Sequence, residues 1–265
     1  MVAIDIHPSE LAYAFAYAKI QSVIGWGDAP FLPEDEAALA GWGAEGEERL
    51  RAAGHLIGEP ETGLNFTDEM TSAIMALINP SIVVLAERKA GDQAQCLSVH
   101  VAGAELIGLV RRPDGMFEMT RYTDFTAAAG ACAGFVGATL DRLEHEARIE
   151  TDHKTLATLH GAAGNRPKDV IAALVGLGLS EVDAASATRT FAEPAAAGVL
   201  SVSYCAGNVV QDVEPITAMT SADGETWIIF PPASMEGPMV LERSSVGALT
   251  ARVAVTTAAR VEAAS

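Results

Sequence analysis

The sequence predicts an α+β fold: a duplicated unit of mainly antiparallel sheet flanked by helices, with the two copies related by a pseudo-two-fold. Three observations carry this. Segments of helical apolar spacing are followed by runs of strand-like segments joined by short turns. The same series of landmarks then recurs in the second half of the chain. And 49% of the 265 residues are hydrophobic, enough for a sizeable core.

The first helix is expected over residues 9–24. Tyr13, Tyr17, Ile20 and Ile24 repeat at helical spacing, Leu11 and Phe15 widen the face, and Ser9 after Pro8 is an N-cap candidate. Gly25-Trp26-Gly27 and Pro30 end it. A second helix runs from about Glu34 to Ala53, weakened by Gly41, Gly43 and Gly46, with Gly54 as its stop. Asn65, followed by Asp68, opens a third, striped by Phe66, Met70, Ile74 and Leu77 and stopped at Asn79-Pro80. Strands follow over 81–88, 96–101, 106–110 and 116–119, with Gly91-Asp92 and Pro113-Asp114-Gly115 as turns. A long helix from Thr123 carries Phe125, Ala129, Cys132, Val136, Leu140 and Leu143 on one face.

The pattern then restarts. Val170 to Gly178 reads as a short helix, Ser180 caps the next, and Glu193-Pro194 stops it. Strands follow near 199–204, 209–219 and 225–230, and Ser244 or Ser245 opens a last helix to about Val255. Asp68 and Asp183 lie twelve and eleven residues before Pro80 and Pro194. Asp114-Gly115 and Asp223-Gly224 come thirty-four and twenty-nine residues after those prolines. The shorter second interval implies a shortened or missing strand, and Pro231 through Leu241 reads as an insertion. The expected organisation is 1–149 for the N-terminal helices plus the first α/β half, 150–168 as a linker, and 169–265 as the second half. The two sheets are free to join edge to edge or face to face.

Composition excludes several functions. A formal net charge of −18 with 17 scattered Lys and Arg argues against nucleic acid and against anionic membrane surfaces. No run of 18 apolar residues supports membrane insertion, and the first residues lack signal-peptide blocks, so a cytoplasmic location is expected. Cys96, Cys132 and Cys205 stand far apart without a C-x-x-C, as buried free thiols do. Asn65-Phe66-Thr67 matches a glycosylation sequon, but nothing else points to secretion.

Catalytic and cofactor signatures are equally sparse. Gly41-Trp42-Gly43-Ala44-Glu45-Gly46 fits G-x-G-x-x-G in letters only: no strand precedes it, and Trp42 and Glu45 would obstruct and repel a phosphate. No P-loop or G-x-S-x-G elbow occurs. His7, His55, His100, His145, His153 and His160 form no H-E-x-x-H or H-x-H pattern, and His145 and His153 lie in a charged stretch. Glu34-Asp35-Glu36 suits a helix start. No catalytic, metal-ligating or cofactor-binding residue is therefore assigned, and no cofactor is expected. Trp227 sits in an apolar run, as core residues do. Trp26 and Trp42, each between glycines, are candidate partner-binding anchors.

Three stretches resemble a known family. Leu50-Arg51-Ala52-Ala53-Gly54 before the helix ending at Asn79-Pro80, the segment from Val170 to Phe191, and Ala222-Asp223-Gly224-Glu225-Thr226-Trp227-Ile228-Ile229 before a final helix are similar to the EspG-type cytosolic chaperones of ESX (type VII) secretion. The resemblance covers about residues 34–258, rests on the order of elements and hydropathy, and leaves out the opening helix. It implies two related α/β halves and non-enzymatic work. The implied role is a chaperone or adaptor that binds an exported partner of the PPE type, or another helical pair, and keeps it soluble for secretion. It transfers no binding residue. Residue chemistry alone leaves two alternatives: a hydrolase-like enzyme with a dispersed active site, and a homo-oligomeric structural subunit such as a homodimer joined through strand edges.

Overall fold

A computed structural model describes residues 2–19, 23–24, 33, 35–59, 63–90, 93–140, 143, 145–206, 209–231 and 237–264. The first half of the chain runs β1 (Val2–Ile6), α1 (Pro8–Tyr17), α2 (Glu36–Ala52), β2 (Leu56–Glu59), β3 (Gly63–Phe66), α3 (Asp68–Ile78), β4 (Ile82–Ala90), β5 (Gln93–Ala102), β6 (Glu105–Arg111), β7 (Phe117–Arg121) and α4 (Phe125–Phe135). The second runs β8 (Arg148–Thr151), α5 (His153–Ala162), α6 (Pro167–Gly176), α7 (Glu181–Ala192), β9 (Ala196–Ala206), β10 (Val209–Thr220), β11 (Thr226–Phe230), β12 (Met239–Ser244) and α8 (Val246–Ala264).

Ten strands form one sheet in the order β1-β7-β6-β5-β4-β9-β10-β11-β12-β8, while β2 and β3 make a separate hairpin. All pairings are antiparallel. The halves join edge to edge through β4 and β9, with Ala86 opposite Leu200 near the centre. Each half repeats one path: a short edge strand, two helices, a capped helix, a four-strand meander and a closing helix. The short strand then pairs with the meander's last strand, β1 with β7 and β8 with β12. Gly115 and Gly224, the turn glycines of the repeated Asp-Gly pairs, both hold φ +85, which a side chain would strain.

The sheet is covered on both faces. On the back, α4 and α8 pack over alternate residues of both halves: Ile82, Val84 and Ala86, with Leu200 and Val202, lie in this core. On the front there are two separate cores. One joins α1–α3 to Ile107, Leu109, Phe117 and Met119. The other joins α5–α7 to Met219, Trp227 and Leu241. Trp227 is fully buried, as its apolar surroundings imply.

Several expectations are corrected. The chain opens with β1, and α1 stops at Tyr17. His7 caps α1, accepting from Ser9 N–H while Glu10 returns to the His7 N–H, so Ser9 is inside the helix. Thr67, not Asn65, caps α3, because its hydroxyl accepts from Met70 N–H while Asn65 belongs to β3. Ser180 caps α7 as read. Matching the helix ends at Asn79-Pro80 and Glu193-Pro194 makes Glu69, and not Asp68, the counterpart of Asp183. The helix from Thr123 is α4, which ends at Phe135 just before Gly137 at φ +98, so Leu140 and Leu143 lie beyond it. Residues 150–168 are no bare connector: they hold the end of β8, all of α5 and the start of α6, with Leu156 and Leu159 buried. No strand of the second meander is missing, because β12 forms from the end of the expected insertion. Ser245 opens α8, accepting from Ala248 N–H. Residues 25–30, the Gly91-Asp92 turn and the Gly207-Asn208 turn lie outside the described residues.

One buried group carries a pH prediction. His100 on β5 is wholly buried, its Nε2 is 3.0 Å from Ser98 Oγ, and its Nδ1 has no hydrogen-bond partner. Burial pushes its pKa down from 6.5 to about 3. The unfolded chain therefore takes up a proton on this ring below pH about 6.5 that the folded chain refuses until about 3. The neutral ring favours the fold above 6.5, and that contribution is lost as pH falls, at up to ~1.4 kcal/mol per pH unit. His100 faces Ile107 across β6, and its counterpart facing Trp227 is Met219. His100→Met is expected to flatten the fall in stability between pH 6.5 and 4 relative to wild type, measured by urea unfolding. Parallel curves for the two proteins would contradict it.

Candidate partner-binding surface

The two front cores leave the middle of the sheet between them. Neither core's buried set contains a residue of β4 or β9. Alternation makes Leu85, Glu87 and Lys89 of β4 and Val199 and Ser201 of β9 front-facing, because their neighbours fill the back core. Glu87 and Lys89 are exposed, and Leu85, Val199 and Ser201 are half-buried. At one end this strip deepens into a cleft of about 660 Å³, lined by Glu87, Lys89, Cys96, Arg111, Val199 and Thr217 among others. Towards the other end Val83 and Ser203 are buried, and the exposed surface passes to β10, where Val213, paired with Ser203, is 47% exposed. The strip mixes apolar side chains with charge, as a protein-binding surface does.

Its electrostatics run against the whole chain. Lys89 and Arg111 face the front at this cleft, with Glu87 as the carboxylate among the residues named there; Arg88 also borders it, but its guanidinium lies 5.0 Å from the Phe135 ring on the back. Arg112 is engaged, at 2.7 Å from Asp5 and 2.8 Å from Asp114. Arg111 lies 6.0 Å from the Phe117 ring. Lys89 and Arg111, from two different strands, thus meet at one place in a chain of net charge −18. Cys96 is a poor nucleophile here: burial, and then the nearby Glu87 carboxylate, push its pKa up to about 12.

The densest polar cluster lies elsewhere, where α7 meets β11 and β12. Asp183 is buried and accepts from Ser180 Oγ at 2.6 Å; it lies 2.9 Å from His145 Nε2 and 3.4 Å from an Arg243 nitrogen. Burial raises its pKa, but the Ser180 and His145 hydrogen bonds and the Arg243 charge outweigh this and hold it below the ordinary value. Arg243 also bonds Glu225 at 2.6 Å. The Ser186 hydroxyl donates to Glu225 and accepts from Trp227 Nε1–H at 3.0 Å. The carboxylate stands between the serine and the histidine, so the histidine is not placed to take the serine's proton as in a triad. The arrangement clamps α7 to the sheet. Among the described residues no group of three or more His, Cys, Asp or Glu could hold a metal ion.

Of the two anchors read from sequence, Trp26 lies outside the described residues. Trp42 lies on α2, partly buried against the first front core, with its ring 6.3 Å from that of His7. The strip on β4 and β9 was not singled out from sequence. The signal that bears on it is the polar content of strands whose other face is apolar, such as Glu87 and Lys89, or Ser201.

Among the described residues no helix is long and apolar enough to cross a membrane. No family model matches the chain, and no curated protein matches it. A solved structure is similar over nearly the full length of both proteins. It is the Mycobacterium tuberculosis type VII secretion system chaperone EspG5, in complex with a PE25–PPE41 dimer, at 12% identity and a TM-score of 0.65. The similarity covers 95% of this chain and 94% of that one, so the duplicated α+β architecture described above is the fold the two share.

Proposed function

We propose that this protein is a non-enzymatic cytosolic chaperone or adaptor, which binds an exported partner protein and keeps it soluble for a type VII-like secretion route. The observation that carries the reading is the end-to-end likeness of fold to a chaperone solved with its protein partner. The uncovered strip supports it: a long open surface of mixed apolar and basic character accommodates a polypeptide better than a small substrate. The partner class is a helical protein pair of the PE–PPE kind, with acidic groups facing the cleft. The two halves meet at β4 and β9 and work as one platform. Nucleic acid, membrane insertion and a cofactor have no part in this reading. Self-association through strand edges is disfavoured because β1 and β8 are short and carry Asp5, Arg148 and Glu150.

The test is a tagged pull-down from the native host, read by mass spectrometry and repeated with surface variants. An exported helical pair is expected with wild type. Arg111→Glu and Val213→Glu are each expected to weaken its binding about tenfold, ~1.4 kcal/mol, with the melting temperature unchanged because both side chains are exposed. Trp26→Ala and Trp42→Ala form a second arm. Loss of binding only in that arm moves the surface to the first-half helices. Recovery of the protein alone rejects the chaperone reading.

A further inference from the structure

The internal duplication offers a comparison of the chain with itself. On the front of the first half, a pocket of about 140 Å³ lies between α3 and the sheet. Its apolar walls are Ile4, Met70, Ala73, Ile107 and Met119. Strand register gives the counterparts. Ile107 faces Arg121 and Trp227 faces Arg243. Met119 faces Ile4 and Leu241 faces Ile149. On the helices, Met70 and Ala73 match Ala184 and Ala187. All five counterparts pack together in one buried core.

The difference between the halves is a ring. In the second half the indole of Trp227 occupies this position, fully buried, and donates its N–H to Ser186 at 3.0 Å. In the first half an isoleucine stands there, Met70 takes up part of the space, and the pocket remains. The α3 residue aligned with Ser186 is again a serine, Ser72. The ion pair beside the ring is also repeated: Glu225 with Arg243, and Glu105 with Arg121 at 3.2 Å.

From this we infer that the first-half pocket is a binding site for a small neutral aromatic compound, a single ring or an indole, occupying the place that Trp227 fills in the other half. The volume is of the right order, since an apolar cavity of about 150 Å³ takes up benzene. The rim supplies polar groups: His55, Glu69 and Arg121. Arg121 reaches across the mouth from β7 to donate to the Glu69 carbonyl at 3.1 Å, joining the two walls. A free ring can be enclosed behind that bridge, whereas a ring carried on a polypeptide needs the bridge broken. The site is separate from the cleft on β4 and β9 and does not depend on the chaperone reading.

The experiment is a calorimetric titration of the full chain with indole, alongside N-acetyltryptophanamide, with nuclear Overhauser contacts locating the bound ring. Saturable binding of indole, contacts to Ile107 and Met119, a raised melting temperature and markedly weaker binding of the amide are expected. Ile107→Trp, which copies the second half, and Ala73→Leu are each expected to remove binding while unfolding stays cooperative. Absence of saturable indole binding overturns the inference. So does a ring located away from Ile107, binding unchanged in a folded variant, or the amide binding as well as indole. Should either variant fail to fold, the contacts in wild type decide.

Discussion

Gly46→Ala is expected to be among the most destabilising single changes in this protein, although alanine is the better helix former. Gly46 is buried within α2, where that helix crosses α1. A Cβ built on it would lie 2.1 Å from the Ser9 carbonyl oxygen and 2.8 Å from its carbon. Those are backbone atoms of a helix held by the His7–Glu10 capping box, so no side chain can swing aside. The helices must separate, and Leu11, Phe15 and Leu50 lose their common packing. Overpacking of this kind costs roughly 1–3 kcal/mol or more, and the upper end is expected because the collision is with backbone. Gly41 and Gly43 on the same helix have nothing within 4 Å of a built Cβ. Alanine at either is expected to stabilise by about 0.5–1 kcal/mol. Urea unfolding of the three variants separates the cases; equal effects at all three positions would show that α1 and α2 do not touch as described.

Trp227→Ala is expected to cost still more, about 3–5 kcal/mol. The indole is fully buried among Met219, Leu241 and the α7 side chains, and its N–H satisfies Ser186. Truncation leaves a cavity and takes a donor from the hydroxyl network that holds α7 to β11 through Glu225 and Arg243. Trp227→Ile, which installs the first-half residue, is expected to be milder because it leaves a smaller cavity. A melting temperature within a degree or two of wild type for Trp227→Ala would show that the second front core does not close around this ring.

The glycines illustrate how far local sequence reaches. Gly41, Gly43 and Gly46 look alike in the sequence, as three flaws in one helix. Only the crossing of α1 over α2 makes the third indispensable and the other two dispensable. The same limit applies at the caps. Asn65 and Thr67 are both competent cap residues, and the β2–β3 hairpin decides between them by drawing Asn65 into a strand. It applies again to β1, β8 and β12, strands of four to six residues that are too short to show an alternation distinguishable from a loop. The linker expected at 150–168 is mostly α5, with only the end of β8 in it, and the insertion expected after Phe230 ends in β12.

What the sequence determined by itself is the α+β class, most of the elements and their order, the burial of Trp227, and the duplication. Periodicity is a local property that burial on one face imposes, and Pro and Gly punctuate it with their own dihedral limits. The tertiary structure alone decided how the halves meet. Alternation says which side chains share a face, but not which strand lies beside which. Pairing β4 with β9 joins segments more than a hundred residues apart through backbone hydrogen bonds that carry no side-chain signature. That pairing leaves the front of the central strands open from Leu85 to Lys89, while Val83 and Ser203 beside them are buried, brings Lys89 and Arg111 to one cleft, and sets two unequal copies of one pocket on the same face of the sheet. One copy is filled by the chain's own indole and the other is open.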